Sequence, residues 1–266
     1  MRVNLIPMAG EGKRYRDAGY AVPKPFVEVQ GVPMVVRAAR ALPPADKWIF
    51  VCRREHLDRY GGEKIIAQYF PNVHFVVVDR LTEGQACTCM LAEELIPQDA
   101  MLTIGSSDND MIYEQDHFNA FADNKDMDGW IWTFRHNPAV LQNPKMYGWV
   151  ELQKTGQTLA KAVRCKQPLS NTPMEDHAVI GAFTFRHASI FFDSVRRMIQ
   201  ANCRINGEFY ADVAADFVIQ AGYHIHAFEV DQYICWGTPA DFVLYNRLVA
   251  EGKIIPQPIR NLSGVN

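Results

Sequence analysis

Net charge is nearly absent from this chain: 27 Lys and Arg stand against 30 Asp and Glu in 266 residues, a formal charge of −3. Without a basic surplus, a nucleic acid held mainly through its phosphates is disfavoured as a partner. No apolar stretch is long enough to span a membrane, and no charged-then-apolar leader opens the sequence. The six cysteines, Cys52, Cys87, Cys89, Cys165, Cys203 and Cys235, lack paired metal-binding spacing. The expectation is a cytoplasmic protein with reduced thiols and no membrane partner. Cys87 and Cys89 sit inside the apolar run ACTCMLAEEL and read as small buried core residues. Repeats, low-complexity tracts and an interdomain linker are also missing, which predicts one domain over 1–266 with a loosely packed end at 254–266.

Two familiar phosphate-loop spellings are absent as well. A dinucleotide fingerprint built on Gly10 and Gly12 needs glycine where Tyr15 stands, and a Walker loop needs Ser or Thr where Arg14 follows Lys13. What does stand there is Gly10-Glu11-Gly12-Lys13-Arg14 after an apolar strand start, then Pro23-Lys24-Pro25. Glycines let a backbone approach an anion and turn its N–H groups toward it. Arg14 and Lys24 add positive charge for phosphate oxygens. Gly-x-Gly by itself also describes a surface turn; the prolines on either side of Lys24 favour the phosphate cradle, because they restrict the loop that carries the ammonium. The implied ligand is a nucleoside triphosphate.

With 48% apolar residues, the chain can bury one large core. Strand-like runs (VNLIPM, WIFVC, VHFVVVD, MLTIG) alternate with helical ones (MVVRAARAL, a polar segment toward IIAQYF, QACTCMLAEELI, HFNAFADN). That alternation predicts a parallel sheet with helices on both faces over about 1–125. From about 126 to 255 consecutive strands follow (GWIWTFRH, YGWVELQ, TLAKAVRC, HAVIGAFTFR), with a hairpin turn over 154–157, and then helices separated by the strand YHIHAFEV. The first half reads as nucleotide-binding and the second as an acceptor platform.

The N-terminal segment resembles the signature of the nucleotide-sugar pyrophosphorylases, the sugar-phosphate nucleotidyltransferases. Further matches follow in that family's order: Gly84-Gln85-Ala86, Ser106-Ser107-Asp108, Tyr147-Gly148-Trp149-Val150-Glu151, Lys166, Ile180-Gly181-Ala182-Phe183, Asn206-Gly207-Glu208-Phe209-Tyr210 and Gly237-Thr238-Pro239. The spelling of the first, NGEFY and Gly-Thr-Pro motifs looks most like the branch serving bacterial capsule and surface-polysaccharide assembly. The resemblance implies an α/β, three-layer nucleotidyltransferase fold, GT-A-like and Rossmann-like, with a mixed central sheet and a small antiparallel substrate platform. It implies Mg²⁺ as cofactor, and as partners a nucleoside triphosphate, most consistent with a pyrimidine, and a phosphorylated small molecule. Homo-oligomerisation is left open.

Joining two polyanions makes positioning and charge neutralisation the main demands. Arg14 is expected to clamp the triphosphate, and Lys24 and Lys166 to draw the α-phosphate and acceptor phosphate together. Asp108, read as the end of the strand MLTIGSSD, would face the crevice at the carboxyl edge of a parallel sheet and suits Mg²⁺. Asp110 would assist it or cap the loop. The resemblance makes Gln85 a base-reading residue, completed by backbone groups of Ala9 and Gly10, and puts Gly12 and Ser107 on the nucleotide side. Gly148 and Gly181 mark close approach of the acceptor to backbone, and the resemblance gives Glu208 its polar groups. Tyr210 and Trp149 could wall the pocket, but aromatics in apolar runs read first as core. Two positions depart from the family: Cys235 stands where many relatives carry a second metal-binding aspartate, and Cys165 where a glutamate precedes the lysine. Asp110 or Asp231 could substitute as the carboxylate. Asp108-Asn109-Asp110 also spells the Asp-x-Asp of a nucleotide-sugar-dependent glycosyltransferase, and the two cysteines leave room for a non-catalytic nucleotide-binding subunit.

Overall fold

Strand β4 (Lys47–Arg53) shows how the sequence builds the layers. Its side chains alternate between two separate apolar clusters, Trp48, Phe50 and Cys52 on one side and Ile49 and Val51 on the other. A strand turns successive residues to opposite faces, so an unbroken apolar run such as WIFVC needs a covered sheet on both sides. The computed structural model, which describes residues 1–259, supplies both covers.

In chain order the first half contains β1 (Arg2–Pro7), α1 (Lys13–Asp17), β2 (Glu28–Val29), β3 (Val32–Pro33), α2 (Met34–Ala41), β4, α3 (Arg54–Asp58), α4 (Gly62–Ala67), β5 (Val73–Val78), α5 (Gln85–Met90), β6 (Met101–Ile104), β7 (Asn109–Ile112) and α6 (Gln115–Asp123). The second contains β8 (Gly129–Phe134), α7 (Ala139–Gln142), β9 (Gly148–Leu152), β10 (Ala160–Cys165), β11 (His177–Phe185), α8 (Ala188–Gln200), α9 (Ala211–Gln220), β12 (Ile225–Glu229), β13 (Gln232–Cys235) and α10 (Pro239–Ala250).

A nine-stranded sheet runs through both halves in the order β10-β9-β11-β6-β1-β4-β5, with β8 joined to β11 and β12 to β8. Strands β6, β1, β4 and β5 are parallel. Strand β11 runs antiparallel to β6, β8 and β9. Its first residues pair with β9 and its last with β6, while β8 follows the opposite edge, and the register shifts between Val179 and Phe183. At that irregularity the platform of β9 and β10 diverges from the parallel half, and the cleft lies beside it. The expected mixed three-layer α/β fold is present.

Some local expectations are corrected. The helical run from Gln85 ends at Met90, followed by a 3-10 turn at Glu93–Leu95. Strand β6 stops at Ile104, so Asp108 lies in the loop beyond it rather than at a strand end. Residues Asn109–Ile112 form an unforeseen two-stranded ribbon with β13, pairing Cys235 with Asn109. The turn over 154–157 closes with the Gln157 N–H donating to the Lys154 carbonyl (3.1 Å). The supposedly loose end is partly tied: Ile254 packs beside the Trp236 cluster, and Arg37 donates to the Gln257 carbonyl (3.0 Å). Its remainder, 260–266, lies outside the described residues. Among the described residues no helix is long and apolar enough to cross a membrane.

Candidate active site

The loops after β1 and β6, at the carboxyl ends of parallel strands, open onto a cleft of about 370 Å³. Arg14, Lys24, Gln85 and Asp108 from the first half line it together with Gly148, Lys166 and Gly181 from the second. Two other hollows are larger, about 480 and 560 Å³, but neither gathers this set.

Lys24 and Asp108 form the floor. The Lys24 ammonium donates to Asp108 Oδ2 and to the Gly237 carbonyl (2.9 Å). It also lies 5.5 Å from the centre of the Tyr15 ring. The Tyr15 hydroxyl donates to the Trp236 carbonyl (2.6 Å), and the Trp236 N–H donates to the Asp108 carbonyl (2.9 Å). Three motifs far apart in sequence are thereby locked together. Burial pushes the Asp108 carboxyl up, but the Lys24 charge and hydrogen bond, the Ser106 hydroxyl and Arg14 together hold it below the usual range. Asp108 is therefore ionised. Arg14 is exposed at the rim.

The glycine loop adjoins this floor. A Cβ on Gly12 would lie 3.5 Å from Lys24 Cβ, and Gly10 and Gly12 share a smaller hollow, about 100 Å³, with Pro23, Lys24 and Pro25. Ala9 is buried. Gln85 opens α5 after Gly84, whose φ of +124° and lack of a side chain let the loop press against Phe209; an added Cβ would fall 2.5 Å from the Phe209 carbonyl oxygen. The Phe209 N–H donates to the Glu83 carbonyl (2.8 Å), and the Ala86 N–H to the Phe209 carbonyl (3.1 Å). The NGEFY segment thus holds Gln85 in place.

On the platform, Lys166 adopts a φ of +57° and donates to the Tyr210 hydroxyl (2.7 Å). Tyr210 is not a core residue as expected: it caps α9 and lines the cleft, whereas Trp149 is fully buried. Glu208 is exposed and reaches the cleft only through a hydrogen bond with Tyr210. Ser107 sits in the β6–β7 loop outside the lining, and its neighbour Ser106 is the residue that bonds Asp108 (2.9 Å).

Asp110 does not face Asp108. Alternation along β7 buries Asn109 and Met111 and turns Asp110 toward a different hollow beside Arg37 and Arg40. Asp231 is exposed just before β13, away from Cys235, which lies at the strand's other end. The carboxylate beside Cys235 is Asp241, missed in the sequence because it reads as a helix capping box: its Oδ2 accepts from the Thr238 N–H (2.9 Å) and hydroxyl (2.7 Å) and lies 3.7 Å from Cys235 Sγ. Burial first, then Asp108, pushes the Cys235 thiol up to about 12, so it is a neutral thiol. Among the described residues no group of three or more His, Cys, Asp or Glu side chains is placed to hold a metal ion. Any cation here must take most of its ligands from substrate phosphates and water around Asp108.

No protein-family model matches the chain, and no curated protein matches its sequence. Solved structures do. A nucleoside-diphosphate-sugar pyrophosphorylase from Vibrio cholerae RC9 superposes with a TM-score of 0.74 at 19% identity, covering 92% of this chain and 99% of that one. The inositol-1-phosphate CTP transferase from T. maritima gives 0.70 at 15% identity, over 97% and 98%. A UDP-glucose pyrophosphorylase complexed with UDP-glucose gives 0.69 at 14%, over 95% and 99%. The chain has the sugar-phosphate nucleotidyltransferase fold.

Within this nucleotidyltransferase fold, sequence reading also missed Asp212. It lies in the first turn of α9 and lines the cleft, and its carboxyl is pushed up to about 6 by burial, partly offset by a hydrogen bond from Cys165 and the charge of Lys166. Its only signal in the sequence is a lone acid at the start of a helix, which ordinarily marks favourable placement near the helix dipole.

Proposed function

We propose that the protein is a nucleotidyltransferase that joins a nucleoside triphosphate to a phosphorylated small molecule and releases pyrophosphate. The observation that carries this reading is the meeting of Lys24 with Asp108 and Gly237 in a cleft that also collects Arg14 and Lys166. An acceptor phosphate oxygen attacks the α-phosphorus in line, the bond to the bridging oxygen breaks, and pyrophosphate leaves with the electron pair. A phosphate monoester has its second pKa near ~6, so the attacking oxygen is already ionised and no general base is needed.

In this reading Arg14 clamps the departing phosphates, while Lys24 and Lys166 reach the α-phosphate and acceptor phosphate from opposite walls. Gln85 offers a donor and an acceptor to a pyrimidine edge, completed by the backbone at Ala9 and Gly10. The similarity to an inositol-1-phosphate CTP transferase and to a UDP-glucose pyrophosphorylase supports a pyrimidine. Asp108 fits Mg²⁺, because an ionised carboxylate plus phosphate oxygens and water is the shell this ion prefers. When bound, the cation supplies charge neutralisation where the two polyanions meet. The spelling of the motifs supports a role in making capsule or surface-polysaccharide precursors. The glycosyltransferase reading loses support because Asp110 points away from Asp108.

The test is pyrophosphate release from CTP, UTP, dTTP, ATP and GTP against sugar 1-phosphates, polyol phosphates and phosphorylated amino-acid derivatives. Release with a pyrimidine triphosphate and one acceptor class is expected; no release from any pair overturns the reading.

A further inference from the structure

The space beside Gly148 is filled by another side chain of the chain. A Cβ there would fall 2.4 Å from Asp212 Oδ2 and 3.2 Å from Val179 Cγ2, so only glycine lets the carboxylate rest on the backbone of β9. Gly148 therefore makes room for a side chain of this protein, besides lining the cleft. The helix that carries Asp212 is registered one turn further on: Asp216, on the same face at i+4, accepts from the Val163 N–H of β10 (2.8 Å). With α9 pinned to β10 at that point, Asp212 is set at the inner end of the helix, where it lines the cleft beside Lys166. The Cys165 thiol hydrogen-bonds to it, and burial pushes that thiol up, so Cys165 stays a neutral donor.

A half-buried carboxylate with one weak thiol donor keeps acceptor capacity to spare, because an ionised carboxylate has roughly four lone-pair sites. Buried polar groups of this kind are ordinarily satisfied, and the direction left open is the cleft. Lys166, with its ammonium against Tyr210, supplies a cation on the same wall. One anion and one cation thus lie side by side on the platform, the cation suited to a phosphate and the anion to a donor group a few bonds away.

We propose that Asp212 is a specificity-determining residue that accepts hydrogen bonds from hydroxyl or ammonium groups of the acceptor, selecting a polyhydroxylated or amino-bearing phosphate ester. This inference rests on the nucleotidyltransferase reading above. A neutral amide at the same position keeps the shape but weakens a charge-assisted hydrogen bond.

The experiment measures pyrophosphate release by wild type and Asp212→Asn, with CTP, UTP and dTTP, against glucose 1-phosphate, glucosamine 1-phosphate and glycerol 3-phosphate, together with thermal melting of both proteins. The expected result is a KM for the acceptor raised about tenfold or more, the scale of losing a hydrogen bond to a charged group, with the KM for the triphosphate within about twofold of wild type. A larger loss on glucosamine 1-phosphate than on glucose 1-phosphate assigns an ammonium as the donor; equal losses assign hydroxyls. An unchanged acceptor KM, or a parallel rise in both KM values, overturns the role of Asp212 while leaving the reaction intact. Absence of turnover by the wild type with every pair overturns the reaction itself and this inference with it.

Discussion

The ammonium of Lys24 is hydrogen-bonded to the carboxylate of Asp108, 84 positions away, and the pair is only partly open to solvent, with side-chain exposures of 17% and 29%. The ammonium helps to hold the Asp108 carboxylate charged. Substrate phosphates entering the cleft meet a lysine already fixed by Asp108 and the Gly237 carbonyl, which lowers the ordering cost of binding.

Replacing Lys24 by Ala should cut turnover by at least about a hundredfold at saturating substrates, the scale of losing one preorganised electrostatic stabiliser. Removing the ammonium also leaves burial as the largest influence on Asp108, so its pKa should rise. Steady-state kinetics and a carboxyl titration by NMR check the two expectations. Near-normal turnover would remove Lys24 from the site.

Asp108→Asn should abolish Mg²⁺-dependent pyrophosphate release, and a chelator should do the same to the wild type, because Asp108 is the carboxylate that meets Lys24 at the cleft floor, while Asp241 is engaged by Thr238. Release that continues undiminished in excess chelator would rule out the metal.

Cys235→Ser should change turnover by less than about threefold, since a thiol that stays protonated is a poor ligand for a hard cation. Cys235→Asp sets a third carboxylate beside Asp108 and Asp241. It should lower the melting temperature in the absence of Mg²⁺, through like-charge repulsion, and show a larger Mg²⁺-induced rise in melting temperature than the wild type. Loss of activity in the folded serine variant would mean that the thiol itself is a ligand.

Two carboxyls of the cleft should pull stability in opposite directions with pH. Asp108 is depressed in the folded state, so its contribution is present above the unfolded value of ~3.9 and is lost as pH falls through the folded value. Asp212 is raised to about 6. The folded protein holds that proton between ~3.9 and about 6 while the unfolded chain does not, so stability falls as pH rises through this window, by about 2–3 kcal/mol at most. Asp212→Asn should therefore gain stability relative to wild type between about pH 4 and 7. Chemical denaturation of both proteins across that range reads the difference, and a constant gap would contradict the buried, reluctant ionisation of Asp212.

The local elements and the phosphate cradle were readable from residue order, because both depend on short-range physics. An unbroken run such as WIFVC demands a sheet covered on both faces, and glycines followed by a proline-braced lysine bring an anion site close to one stretch of chain. Arg14, Lys24, Gln85, Asp108 and Lys166 do reach one cleft. The carboxylates around them were a different matter. Asp110 looked like a partner for Asp108 at two residues' distance, but strand alternation sends it to the other side, while Asp241 and Asp212 arrive from helices over a hundred residues further on. Each of those two acids doubles as an ordinary first-turn helix residue, so nothing in its neighbours distinguishes it. Only the docking of α10 against Cys235, and of α9 against the gap left by Gly148, gives them a place at the cleft. Proximity across such separations is set by packed surfaces, and packing is a property of the folded chain rather than of any segment of it.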